Sequence, residues 1–294
     1  MEASAVNAVL PPISPRRRRV DRLARWALGS AAIVALIPLL LVLFYLIQKG
    51  FGALSASFFT SDPSGAFLGD PGEIKSAILG TIEMVGLASL IAIPAGLGIA
   101  IYLVEYGKKG RIASVVRFFT DVMTGVPSIM FGLFIYITLV VTKVGGSSFA
   151  AWKASLALAL LMLPIVSRSC EVVLYQVPDG LREAALALGA PRWRVIGRVV
   201  IPTALPGIVT GSLLAIARGA GETAPLLLAL TIASGTTLGL NGPMNALPLT
   251  IFQDLKQPRD ELVNVAWGAA LTLVMLVLVL SLIARLIQRR SSLA

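Results

Sequence analysis

Near residues 27 to 48, 76 to 103, 118 to 142, 147 to 173, 205 to 233 and 264 to 287 the chain carries few or no charges for long enough to cross roughly 30 Å of hydrocarbon. No water is available in a bilayer core to pair a peptide group, so a continuous apolar run must satisfy its own N–H and C=O groups, which only a helix does. Six helical spans are therefore predicted, with no room between them for a separate soluble domain. A membrane β-barrel is excluded because its strands would alternate apolar and polar residues. Composition agrees: 56% hydrophobic residues, 14% charged residues and a mean hydropathy of +0.86 leave too little polar surface for a water-soluble fold. The first run is too long for a cleaved leader and has no small-residue cleavage site, so it is expected to stay as an anchor.

A net charge of +10 could point to nucleic acid, but the placement of the charges decides otherwise. Arg16 to Arg19, Arg22 and Arg25 precede the first run; Lys108, Lys109, Arg111 and Arg117 follow the second; Arg182, Arg192, Arg194 and Arg198 follow the fourth; Arg285, Arg289 and Arg290 close the chain. The alternate loops hold only Lys49, Lys75, Lys143, Lys153, Lys256 and Arg259, partly offset by Asp62, Asp70, Glu73, Asp254, Asp260 and Glu261. Basic residues concentrate in loops on the cytoplasmic side, so both termini are expected there. The chain has one cysteine, Cys170, and no histidine. An internal disulfide, a Cys/His metal site and histidine-based catalysis are thus excluded, and Cys170 is expected to be packing. No catalytic residue and no metal ligand set is expected, and without a Gly-rich loop ending in Gly-Lys-Ser/Thr no ATP site is expected either.

Between the fourth and fifth runs, Pro178-Asp179 offers a helix start, with Asp179 as a cap, and Gly189 a helix stop in a left-handed conformation. A helix over about 180 to 188 is predicted, with Leu181, Ala185 and Leu188 as a narrow apolar stripe and Ala184 and Ala185 keeping it thin. Pro191 opens a second helix, and Pro202 introduces the next span. Such a unit suits a groove in a partner. Glu183-Ala184-Ala185, three residues, Gly189, then Val199-Val200-Ile201-Pro202 match the pattern EAA, Gly, I-x-L-P, with Val199 for Ile and Ile201 for Leu. In this the chain resembles the permease subunits of ABC importers. The resemblance implies that Glu183, Ala184, Ala185 and Gly189 belong to a coupling helix that docks on an ATP-binding subunit.

The fifth run contains Arg218 about 13 residues from its start, near the bilayer middle, where an unpartnered charge costs at least about 2.5 kcal/mol. Glu222 lies four residues on, within reach of an intrahelical pair. The pair is either a structural salt bridge or part of an anion pathway. Gly211, Gly219, Gly221 and Pro225 favour the pathway by implying a thin, irregular helix beside a cavity. The planar guanidinium fork of Arg suits a phosphate-like ion. Glu222 either holds Arg218 in the empty state or accepts a proton-bearing oxygen of the ion. Arg168 either guides an anion or pairs with Glu171 three residues on while reaching for headgroups. Pro127-Ser128 either exposes amides to an anion or only kinks the third span. Glu83 is expected to make a helix contact.

Ala217 to Leu226 (ARGAGETAPL) is similar to the A-R-x-x-G-E-T-A-P-L segment of PstA-type permeases of the phosphate importer, with Gly219 at a variable position. Asp121 to Gly132, Ile101 to Tyr106 and Asn245 to Phe252 extend the resemblance over roughly residues 70 to 290, and Arg168 matches a basic position of that group. It implies an all-α type I ABC importer permease (MetI-like) fold with six transmembrane helices in a prokaryotic plasma membrane. The expected layout is a basic cytoplasmic arm over 1–26, a first span over 27–48, an external loop over 49–75 and a permease core over 76–290, with the coupling-helix loop at 174–202. The implied partners are a second, PstC-like permease, a PstB-like ATPase dimer that uses ATP and Mg, and a PstS-like extracytoplasmic phosphate-binding protein, all meeting in membrane lipid. No cofactor is expected on the chain itself. A permease for phosphonate, sulfate or molybdate shares the loop but should lack the Gly-Glu-Thr-Ala-Pro context. An intramembrane enzyme using Glu83 and Glu222 lacks supporting groups, and a passive anion channel would work without ATP.

Overall fold

A computed structural model describes residues 14–61, 74–107, 110–233 and 235–291, with side chains given to residue 286. The first thirteen residues of the basic arm, the acids Asp62, Asp70 and Glu73, Lys108, Lys109 and the side chains of Arg289 and Arg290 lie outside what is described. All regular structure among the described residues is helical. Five helices there are long and apolar enough to cross a membrane, and a bent pair makes six if it counts as one span. Two compact units are formed, residues 1–48 and 49–294.

The first unit contains most of α1 (Pro15–Phe51), which opens on a proline whose fixed φ suits a first helical turn. From Pro15 the basic arm is thus helical and continuous with the first apolar run. In the second unit come α2 (Ala56–Thr60), α3 (Lys75–Ile101) with a π-helical extension Tyr102–Gly107, α4 (Arg111–Gly125) and α5 (Ser128–Ile135), which continues as a π-helix over Tyr136–Val140. Then follow α6 (Ala151–Tyr175), the short α7 (Asp179–Ala187), α8 (Arg192–Val195), a π-helical turn Ile196–Val200, α9 (Ile201–Ala220), α10 (Ala224–Ala229), α11 (Leu247–Asp254) and α12 (Asp260–Ser291).

Two spans differ from the hydropathy reading. The third, read as one helix over 118 to 142, is the pair α4 and α5, bent by 105° at Val126-Pro127. Proline lacks an N–H and disfavours a helical residue before it, and Val126 accordingly turns out to ψ 132. The fifth, read over 205 to 233, is one helix from Arg192 to Ala220 that stops early. Pro202 does not open it. The π-helical turn ahead of Pro202 passes the Ile201 N–H to the Ile196 carbonyl, so the proline is absorbed in the first turns. Gly221, Glu222 and Thr223 then break the helix before α10, because Pro225 cannot extend α9.

The hub of the second unit is α6, against which α3, α4, α5, α9 and α10 pack. Between lipid-embedded helices close approach replaces the hydrophobic effect as the source of attraction, and small residues permit it. Gly207, Gly211, Ala215 and Gly219 repeat every fourth residue along α9. A Cβ at Gly207 would lie 2.4 Å from Val173 Cγ1, one at Gly211 2.5 Å from Ser169 Cβ, and one at Gly219 2.8 Å from Met162 Sδ. The pairs 207 with 173, 211 with 169 and 219 with 162 run antiparallel. Gly211 and Gly219 therefore serve helix packing, and Gly211 also lines the groove between the two helices. Cys170 is fully buried in this core, as expected.

Lys153 is not a loop lysine. It is completely buried in the first turn of α6, and its three N–H groups donate to the carbonyls of Leu139 (2.8 Å), Ser147 (2.7 Å) and Ser148 (3.2 Å). All its donors are thereby used, which makes the buried ammonium tolerable. The loop after α10 is tied to α3 in the same spirit. Asn245 Nδ2 donates to Ser76 Oγ, the Leu247 N–H to Thr81 Oγ1, and the Gly239 N–H reaches Glu83 Oε2 at 3.5 Å. Glu83 was expected to make a helix contact; the contact found is to the loop N–H of Gly239.

Gly207→Ala should lower the stability of the detergent-solubilised protein by about 1 to 3 kcal/mol through overpacking against Val173, seen as a lower melting temperature. Gly98→Ala, whose Cβ meets nothing within 4 Å, should be neutral or slightly stabilising. Equal melting temperatures for the two variants would mean that the α6 and α9 backbones are not in close contact.

Candidate functional site

The predicted helix over 180 to 188 is α7, Asp179–Ala187. Its N-terminus differs in detail: Pro178 occupies the cap position, and the Asp179 carboxylate does not cap but pairs with Arg182 at 3.1 Å. Its C-terminus closes as predicted, with Gly189 at φ +81, a left-handed conformation that costs glycine nothing. The Gly189 N–H bonds to the Leu186 carbonyl (2.9 Å) and the Ala190 N–H to the Ala185 carbonyl (3.2 Å). That pair of bonds defines a Schellman stop.

No residue of α7 is buried. The expected stripe is split: Ala185 packs against the main core, whereas Leu181 is 44% and Leu188 90% exposed. Glu183, Ala184 and Gly189 are exposed as well. This leaves an exposed surface with three leucines, 181, 186 and 188, a small alanine step and the carboxylates of Asp179 and Glu183. The inward side is held by Arg182, whose side chain is only 14% exposed. Its Nε and Nη2 both donate to Glu105 Oε1 at 3.0 Å, Nη1 to Val177 O (2.6 Å) and Asp179 Oδ1 (3.1 Å), and Nη2 also to Leu174 O (2.9 Å). No local spacing signals the pairing of Arg182 with Glu105, 77 residues away in the Ile101 to Tyr106 segment.

Where α6 and α9 cross, a groove of about 660 Å³ is lined by Arg168, Val172, Val173, Pro206, Thr210 and Leu214, among others. Thr210, Leu214 and Arg218 stand four residues apart on the exposed face of α9. Arg168 and Arg218 are 56% and 57% exposed at the side chain. From the packing register Arg168 lies level with residue 212, so Arg218 is six residues, about 9 Å, further along the same face. Arg218 sits in the last turn of α9 and Glu222 just past its end; their ion pair spans 3.5 Å. Gly221 lies in the break, with the Glu222 N–H on the Gly219 carbonyl. The irregular backbone expected around Gly221 and Pro225 is thus at 221–223. Pro127-Ser128 marks the sharp bend between α4 and α5, and Gly132 of α5 packs directly on Pro225.

Glu171 is nearly buried and serves two arginines: Arg168 Nη1 donates at 3.1 Å, as read from the sequence, and Arg117 Nε at 2.8 Å. Arg117 also donates to Leu103 O and Tyr175 Oη. It had been counted only as a basic loop residue. The signal for its role was Glu171 itself, an acid in an apolar helix that needs more than one half-exposed partner.

The family model for binding-protein-dependent transport system inner membrane components matches residues 92–292. The chain belongs to that family. Among curated members, the phosphate transport system permease protein PstA 1 of Mycobacterium tuberculosis (strain CDC 1551 / Oshkosh) is 41% identical over 95% of this chain and 92% of its own length. The phosphate transport system permease protein PstA of Yersinia pestis is 41% identical over 92% of this chain and 90% of its own. Solved structures share the fold at lower identity. A bacterial ABC transporter for alginate, in complex with its periplasmic protein bound to an alginate pentasaccharide, matches with a TM-score of 0.66 at 18% identity over 94% of this chain and 96% of the other. The inward-facing MetNI methionine ABC transporter matches with a TM-score of 0.60 at 21% identity over 73% and 94%. The family member described here is thus an all-helical, multi-pass membrane protein with the type I ABC importer permease (MetI-like) fold.

Glu171→Gln should destabilise the solubilised protein by roughly 2 kcal/mol, mainly because Arg117 loses its charged acceptor in a half-buried site. Arg168→Gln should leave the melting temperature near that of wild type, because an exposed arginine gains little from its pair. Equal destabilisation by the two changes would show that Arg168 is part of the structural support.

Proposed function

We propose that the chain is the PstA-type permease subunit of an ATP-driven importer that carries inorganic phosphate across the plasma membrane of a prokaryote. The observation that carries this reading is the exposed face of the α6 and α9 pair, where Arg168 and Thr210 line the groove and Arg218 follows one turn beyond Leu214, the two guanidinium groups each more than half exposed. Relatives named as phosphate transport system permeases, at about 41% identity over nearly the whole chain, support the choice of anion. Both termini and α7 lie on the cytoplasmic side, in keeping with the basic loops. A second, related permease faces the groove and closes the path; two ATPase subunits, which use ATP and Mg, bind below; an extracytoplasmic phosphate-binding protein delivers the ion above. The anion is moved and not transformed, so the chain is no enzyme.

In this reading Glu183, Ala184, Ala185 and Gly189 present α7 to the ATPase. Closure of the ATPases displaces α7, and the α6 and α9 pair tilts with it, turning the groove from one side of the membrane to the other. Arg218 meets the ion first. Its contact with Glu222 is long enough to be exchanged for phosphate oxygens, and the guanidinium fork presents two donors at once. Arg168, about 9 Å nearer the cytoplasm, receives the ion next. A site of this kind must bind weakly, because a tight one would hold its cargo.

Uptake of labelled phosphate by vesicles containing the complete complex, with sulfate and phosphonate as competitors, tests the assignment. Arg218→Ala should reduce ATP-dependent uptake about ten- to hundredfold, the loss of a charge-assisted contact, while the protein remains in the membrane. Undiminished uptake would remove Arg218 from the pathway. Preference for sulfate or phosphonate over phosphate would make the chain a permease for that oxyanion.

A further inference from the structure

We infer that Arg182 and Glu105 are the link through which movement of α7 is passed to α3, and that both are positioning residues for the coupling of ATP hydrolysis to transport. The inference rests on the reading of α7 as the helix that meets the ATPase.

A helix that transmits force must be tied to what it moves, and α7 has little to tie it. It contains no buried residue; Ala185 alone on its inward side packs on the main core. Beneath it lies a cleft of about 290 Å³, lined by Glu105, Asp179, Arg182, Glu183, Arg192 and Ile196 among others. Across that cleft packed contact is sparse, being confined to Ala185 and to the neighbouring α8 and π-helical turn. Displacement passes through Arg182, whose five N–H donors are matched by five hydrogen bonds to acceptors on three elements: the Glu105 carboxylate on the extension of α3, the Leu174 and Val177 carbonyls at the end of α6, and Asp179 of α7 itself. A guanidinium in this setting is planar and has no free donor, so it cannot slide without breaking several bonds at once. Lysine, with three donors and no plane, could not make the same knot.

The receiving end is equally specific. Glu105 is 12% exposed and stands in the π-helical segment Tyr102–Gly107, where α3 holds one residue more per turn than an α-helix. Such segments recur at functional positions. The rest of α3 lies along α6, with a Cβ at Gly96 only 2.8 Å from Val166. A pull on Glu105 is therefore felt along the helix that packs on the hub. The ties to Leu174 and Val177 draw α6 along with it.

The test uses the complete complex in vesicles, with phosphate moved per ATP hydrolysed as the readout. Glu105→Gln keeps the shape and removes the charge; Arg182→Lys keeps the charge and removes the fork. In both, the ATPase should still co-purify and hydrolyse ATP within about twofold of wild type, while phosphate per ATP falls about tenfold, as for contacting residues with substantial coupling energy. A wild-type ratio in the two variants would overturn the link. So would loss of the ATPase from both, which would make the pair a folding support. If Glu105→Gln alone fails to assemble, Arg182→Lys decides by the same criterion. A wild-type complex that moves a different oxyanion would overturn the choice of phosphate, and the link would then be judged on the ratio for that ion.

Discussion

The close approach of α9 to α6 underlies the other features of the second unit. Gly207, Gly211 and Gly219 meet Val173, Ser169 and Met162 in antiparallel register, with distances that leave no room for a methyl group. The two helices are joined at one end by α7 and α8, so together they form a hairpin with α7 at its bend. The same register that packs the hairpin sets Arg168 level with residue 212, so that Arg218 lies about 9 Å further along the α9 axis. The surface read as ATPase-facing and the surface read as anion-facing are thus two parts of one tightly packed unit, which is why displacement of the bend can reorient the groove.

How each charge is satisfied separates the structural cations from those available to a ligand. Lys153 spends all three donors on backbone carbonyls, and Arg182 all five on two carboxylates and two carbonyls. Neither has anything left for an arriving ion. Arg168 gives one hydrogen bond to Glu171, and Arg218 faces Glu222 at 3.5 Å; both stay more than half exposed. In surroundings of low dielectric, donors left open in this way are costly without a counter-charge or water. That cost is consistent with a site that an anion visits and leaves.

Much of this was legible in the sequence because the signals were local. Apolar run length gave the spans, Gly189 gave the left-handed stop of α7, and the i, i+3 and i, i+4 spacings gave the Arg168 with Glu171 and Arg218 with Glu222 pairs. What escaped depended on distant partners. The kink offered by Pro127-Ser128 is present as a 105° bend, whereas hydropathy has no signal for the π-helical turn that absorbs Pro202. Hydropathy set Lys153 with the loop lysines because three carbonyls from other segments only come together in the fold. Arg117 with Glu171, 54 residues apart, and Arg182 with Glu105, 77 apart, were invisible for the same reason. The glycines in and just past α9 were legible as a cavity wall and a break, since Gly211 lines the groove and Gly221 lies in the irregular backbone at 221–223; what was not legible is that Gly207, Gly211 and Gly219 also form the packing face on α6.

The central claim is that the groove on the α6 and α9 hairpin opens alternately to the two sides of the membrane under the control of ATP. The thiol introduced by Leu214→Cys, at the end of that groove nearest Arg218, reports this directly, because the native Cys170 is fully buried and should stay unreactive. In vesicles containing the complete complex, its reaction rate with a membrane-impermeant thiol reagent is measured from each side, with and without ATP. The account predicts that the side of faster labelling reverses when ATP is bound; labelling from the same side at the same rate in both states would contradict it.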